Sequence, residues 1–144
     1  MIRSFRHIGI VVSDIERSVH LFATIFNFKI ISDQIESGKF IETLIGKKGC
    51  YLRVVKMADM SENVIELIHS ANGNKKSSDI TTLSLGLTHI AMNVTGIQRI
   101  VRELEKNSCH ALSQPMINEN KSHIVCYVKS FDNLFIELVE ELQR

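Results

Sequence analysis

The segment Arg6-His7-Ile8-Gly9-Ile10-Val11-Val12 returns later in the chain as Thr88-His89-Ile90-Ala91-Met92-Asn93-Val94. A repeat of this kind constrains the fold more than any other feature, because both copies must solve the same packing problem. Each copy alternates apolar and small or polar residues, as a half-buried strand does. The first is followed by Ser13-Asp14, a helix-cap signal, and then by Ile15, Val19, Phe22 and Phe26 at helical spacing. The second is followed by Thr95 as the predicted cap and by Ile97, Ile100, Val101 and Leu104. Strand-like chain comes next in both halves, Phe28 to Ile31 and His110 to Leu112. Each half closes on nearly the same strand, Val64-Ile65-Glu66-Leu67-Ile68 and Phe135-Ile136-Glu137-Leu138-Val139.

The predicted order is therefore strand, helix and several strands, read twice. The first module spans about 1–70 and the second about 83–144, with a polar linker at about 71–82 that contains Asn72 to Asp79. The first half is longer between its histidine and its glutamate. The surplus falls around Ser37 to Gly49, where Phe40 to Ile45 is predicted to form a short helical turn. Modules this small leave a sheet face exposed alone, so they are expected to pack as one domain of 144 residues. Hydrophobic residues make up 44% and charged residues 23%, which excludes a disordered tail or a fibre. Lys plus Arg number 17 against 16 Asp plus Glu, so no strong field draws in nucleic acid or an anionic membrane. No apolar run suits a signal peptide or a membrane span, and a cytoplasmic protein is expected. Cys50, Cys109 and Cys126 lack a CxxC pair, so they are read as free, partly buried thiols.

Strand period places His7 with Gly9 and Val11 on one face and Ile8, Ile10 and Val12 on the other. His89 likewise shares a face with Ala91 and Asn93. Glu66 and Glu137 each lie between two apolar residues that point away from them. The wholly apolar faces are expected to receive the helices, leaving the His and Glu faces to look into a cleft. A carboxylate in an apolar strand is costly to bury unless it is paired or bound to a metal. Taken singly, each of these residues reads best as a hydrogen-bonded structural group. Recurrence at the same place in both halves favours a four-ligand site for one divalent ion, Zn, Ni, Co, Mn or Fe(II).

On these residues the chain resembles the vicinal oxygen chelate superfamily. The resemblance rests on Arg6 to Asp14, Val64 to Ile68, Leu87-Thr88-His89-Ile90-Ala91 and Phe135 to Glu140, and covers about residues 4–141. The family includes glyoxalase I, methylmalonyl-CoA epimerase, fosfomycin-resistance and bleomycin-binding proteins, and extradiol dioxygenases. It implies an α+β fold of two tandem βαβββ modules, whose curved mixed sheet surrounds a metal cleft with the helices outside. It carries the ligand roles over to His7, Glu66, His89 and Glu137. That ligand set resembles glyoxalase I and the epimerases, whereas fosfomycin-resistance enzymes and dioxygenases use two histidines and one glutamate. The chain departs from the family in two places. Ser130-Phe131-Asp132-Asn133 stands where an Asp-Pro-Asp-Gly turn is usual, and the Gly38 to Gly49 insertion is absent from short glyoxalase I sequences. Asn133 can still supply the positive-φ turn residue.

The chemistry implied is a 1,2-proton transfer beside a carbonyl on a small substrate with two neighbouring oxygens. Glu137 is the first choice for base and Glu66 the second. The leading reading is an isomerase, epimerase or lyase. The alternative is a small-molecule binding or resistance protein, and a non-haem iron dioxygenase ranks last. Exposed sheet edges point to a homodimer. His69 is expected on the face opposite Glu66, and His20 at the surface. His123 is within reach of the cleft from a neighbouring strand, and Arg53 and Lys56 take opposite faces of one strand. Lys75-Lys76 reads as a solvated charge pair, and Tyr127 as an ordinary strand aromatic.

Overall fold

The alternation in the repeated segments becomes two mixed sheets in the computed structural model, which describes residues 3–73, 80–87 and 89–142. Two compact units divide at residue 75, Met1–Lys75 and Lys76–Arg144. Part of the expected linker, including the Lys75-Lys76 pair, lies outside the described residues.

In the first unit β1 (Ile8–Val11) is followed by α1 (Ile15–Thr24), β2 (Lys29–Ser37), α2 (Lys39–Ile45), β3 (Tyr51–Ala58) and β4 (Val64–Ser70). The sheet order is β1-β4-β3-β2, with β1 and β4 parallel and the remaining pairs antiparallel. The second unit repeats the pattern in β5 (His89–Asn93), α3 (Ile97–Lys106), β6 (His110–Ala111), β7 (Met116–Ile117), β8 (His123–Lys129) and β9 (Phe135–Glu141). Its order is β5-β9-β8-β6, with β5 and β9 parallel and β7 also paired to β8. This is the twofold βαβββ order the sequence predicts.

Asp14 caps α1 as expected, its carboxylate accepting from the Arg17 N–H at 3.0 Å. The buried stripe of α1 differs from the predicted one. It runs through Ile15, Ser18, Leu21 and Phe22, whereas Val19 and Phe26 are only half-buried. Ser18 can enter this face because its hydroxyl donates to the Asp14 carbonyl at 2.8 Å. On α3 the buried residues are Ile97, Val101 and Leu104. Its N-terminus is not capped by Thr95. Gly96 takes the cap position at φ 75°, and the Glu140 carboxylate, delivered by β9, accepts from the backbone N–H groups of Gly96 and Ile97. Those two bonds hold the Glu140 carboxyl below its ordinary value of 4.5.

The core of each unit lies between helix and sheet. Val55, Met57, Ile65 and Leu67 are buried in the first, and Val128, Ile136 and Leu138 in the second. Each is worth about 1.5–3 kcal/mol by area removed from water. The insertion adds something the repeat does not contain. Ile41 of α2 buries itself against Cys50, Leu52 and Val54, with Ile68 packed alongside. Leu52, Val54 and Ile68 share strand parity with Lys56 and Glu66, so α2 rests on the face that carries the glutamate, while α1 packs on β3 and β4. The three cysteines are free, as read from their number and spacing, and they are buried, not only partly so. Asn133 takes φ 63° in the turn between β8 and β9, where its N–H reaches the Ser130 carbonyl at 3.1 Å.

Candidate metal centre

Register decides what each glutamate meets. In the first unit Gly9 lies directly across from Glu66, and in the second Ala91 lies across from Glu137. Each histidine sits two positions earlier on the same face, and the small opposite residue leaves room for its ring to swing over the carboxylate. His7 Nε2 is 3.6 Å from Glu66 Oε2, and His89 Nε2 is 3.5 Å from Glu137 Oε2. All four side chains are partly buried, Glu66 the most at 16% exposure.

Each unit thus brings together one predicted histidine and one predicted glutamate. Two donors bound at the usual ~2.1 Å and separated by this distance subtend about 110–120° at a shared ion, an ordinary angle for imidazole and carboxylate ligands. The donor pair in each unit fits a zinc-like or manganese-like ion. Among the described residues no group of three or more His, Cys, Asp or Glu is gathered for a metal, so each pair supplies half of the predicted set.

The third residue at each pair is where the halves part. Lys56 lies across from Glu66 on β3, and its Nζ is 3.3 Å from the same Oε2 that His7 approaches. Tyr127 holds the matching place across from Glu137 on β8. Its hydroxyl is 3.4 Å from His89 Nε2, and its ring packs edge-on against the imidazole with centroids 5.3 Å apart. Burial, the nearby Glu137 charge and a hydrogen bond to Glu137 together raise the Tyr127 pKa above its ordinary value of 10.0. The phenol therefore stays a proton donor at neutral pH. Sequence reasoning had put Lys56 and Arg53 on opposite faces, and so they are. Arg53 points the other way, to Asp33 and Glu16. Neither Lys56 nor Tyr127 could be assigned a partner from parity alone, because the register of β3 on β4 and β8 on β9 was needed.

The other histidines lie away from these pairs. His69 bonds through Nδ1 to the Val12 carbonyl at 3.2 Å on the face opposite Glu66, and His20 and His110 are exposed. His123 lies 2.7 Å, through Nδ1, from the Ser122 hydroxyl.

Two mixed sheets of βαβββ units, each with one His–Glu pair in the same register, define a duplicated fold. Residues 6–127 match the glyoxalase/bleomycin resistance protein/dioxygenase superfamily, and the chain belongs to it. No curated protein matches it in sequence. Solved structures do match. A glyoxalase family protein from Bacillus cereus superposes with a TM-score of 0.88 at 18% identity, over 99% of this chain and 97% of that one. A Glu-to-Gln mutant of the fosfomycin resistance protein FosX from Listeria monocytogenes, complexed with Mn(II) and 1S,2S-dihydroxypropylphosphonic acid, gives 0.65 at 16% identity over 99% and 95%. FosX from Mesorhizobium loti gives 0.63 at 15% over 96% and 91%. At these identities the likeness is one of fold. Among the described residues no helix is long and apolar enough to cross a membrane.

Proposed function

We propose that the chain is a metal-dependent isomerase, epimerase or lyase that moves a proton between adjacent atoms beside a carbonyl. In this reading the two units pack as one cytoplasmic domain, and the chain forms a homodimer. His7, Glu66, His89 and Glu137 hold one divalent ion, with the two pairs meeting within a chain or across two copies. The observation that carries the reading is the identical register of the two His–Glu pairs, at 3.6 and 3.5 Å. A divalent ion held there supplies a Lewis acid for the oxygens of the substrate.

The protein's own part is proton handling. Glu137 Oε2 takes the proton from the carbon next to the carbonyl and returns it to the neighbouring carbon or to the opposite face. Tyr127 donates a hydrogen bond to that carboxylate and keeps its oxygens turned toward the substrate. Glu66 is the second choice for base, since the Lys56 ammonium lies 3.3 Å from its Oε2. The same ion pair favours a second reading. If Lys56 keeps Glu66 off the ion, two histidines and one glutamate remain, the set expected of a fosfomycin-type resistance protein.

The test is α-proton exchange in heavy water with hemithioacetals, α-hydroxyketones and acyl-CoA thioesters, with and without added Mn(II), Zn(II) or Ni(II). Metal-dependent exchange is expected in at least one class. Glu137→Gln should lower it by roughly 10²–10⁴-fold with metal retained. Full exchange in metal-loaded Glu137→Gln removes Glu137 as base. No exchange in any class, with saturable phosphonate binding in its place, selects the resistance reading.

A further inference from the structure

The second unit contains a cavity of about 590 Å³ beside its His–Glu pair. Its volume is that of a small-molecule pocket. It arises from a broken sheet edge. β6 and β7 are each two residues long and both pair with β8. Leu112 still donates to the Tyr127 carbonyl at 2.8 Å, and 113–115 lie outside both strands, ending at Pro115, which has no N–H to give a strand. Thr82, Ser113 and Asn118 join His89 and Tyr127 as its polar lining, and Leu83, Leu112, Met116 and Ile117 form most of its apolar wall. Among the described residues that line it, none is Lys, Arg, Asp or Glu. The four apolar side chains are 91%, 53%, 63% and 59% exposed, so apolar surface around this hollow is left in water.

We propose that this cavity receives the non-reacting part of the substrate, and that this part is uncharged and apolar, an alkyl or aryl group attached to the carbonyl. The proposal rests on the reading that His89 and Glu137 work on that carbonyl. A phosphate, phosphonate or peptide carboxylate in this hollow would meet no Lys or Arg among the described residues that line it, and a desolvated charge without a partner is expensive. An apolar group instead covers leucine, methionine and isoleucine side chains that water now touches, at about 25 cal/mol for each Å² removed.

The full chain is titrated with the neutral fluorophore N-phenyl-1-naphthylamine. Saturable binding is expected, displaced by 2-hydroxyacetophenone at lower concentration than by hydroxyacetone. Leu112→Lys and Ile117→Lys should each weaken binding about tenfold or more, since each puts an ammonium in the apolar wall. Met116→Lys replaces either one that fails to fold by circular dichroism. Phe40→Lys, an 80% exposed site on α2, should leave binding unchanged. Glu137→Gln should also leave it unchanged, which separates the cavity from the proton chemistry. Saturable binding with absent exchange would sink the enzyme reading and keep the ligand class of the cavity. Absent binding, or equal loss in Phe40→Lys, overturns the proposal. So does a dimer that Leu112→Lys dissociates while fluorophore binding stays intact, because a second copy then covers the wall.

Discussion

Lys56→Met tests whether the first His–Glu pair is a metal ligand in waiting or a closed ion pair. The lysine ammonium is 3.3 Å from Glu66 Oε2, and methionine keeps a similar stem without the charge. A divalent ion bound to that oxygen at the usual ~2 Å would lie roughly 4–5 Å from Nζ. Two charges against one at this range repel by about 2 kcal/mol even at the dielectric of water. Lys56 is 31% and Glu66 16% exposed, so solvent screens the pair and the water value is the suitable one. Removing the ammonium should therefore tighten Mn(II) or Zn(II) binding about tenfold or more. Isothermal titration of the metal-stripped protein measures this, with Lys106→Met as control for a lysine paired elsewhere, to Glu103 on α3. Stability should move by no more than about 1 kcal/mol, as for other partly exposed pairs. Unchanged or weaker metal affinity in Lys56→Met would refute the competition argument, and with it the claim that Glu66 faces the ion.

His7→Ala combined with His89→Ala should abolish stoichiometric metal binding while circular dichroism stays native, and unchanged metal content by elemental analysis would remove the site. Tyr127→Phe should keep the metal and lower α-proton exchange by about tenfold, the direction expected when a positioned donor is lost; an equal loss of metal affinity would make Tyr127 structural. Glu140→Gln should lower the thermal midpoint at pH 7 and flatten its acid dependence. The folded carboxyl titrates below its ordinary 4.5, so its contribution is complete above that value and is lost as pH falls through the lower folded value. A midpoint that drops equally in wild type and Glu140→Gln between pH 5 and 3 would contradict this.

Much of the fold was legible because a repeat reports each element twice. His7 with Glu66 and His89 with Glu137 were found as pairs from type and position, and the registers Gly9 to Glu66 and Ala91 to Glu137 match as the repeat requires. The cap of α3 was not legible. Thr95 satisfies the local rule, but Glu140 reaches Gly96 and Ile97 from a strand forty-odd residues later, and local patterns do not see it. Lys56 and Tyr127 were hidden for a related reason, since a cross-strand partner follows from register and not from spacing along one strand. β6 and β7 are too short to show a period, so the hollow they leave was invisible. On α1 the choice between Val19 and Leu21 turned on Ser18, whose hydroxyl satisfies itself on the helix backbone and lets a polar residue face inward.

The carboxylate that closes the start of α3 belongs to the same strand as Glu137, three residues on. The first turn of α3 cannot fray without giving up two bonds to β9, and that end of β9 cannot lift without releasing α3. Amide hydrogens of Ile97 and of β9 should therefore exchange with deuterium through one shared opening, at similar protection, and not through separate local openings. Tethered in this way, the strand under Glu137 has little freedom to let its carboxylate drift away from His89.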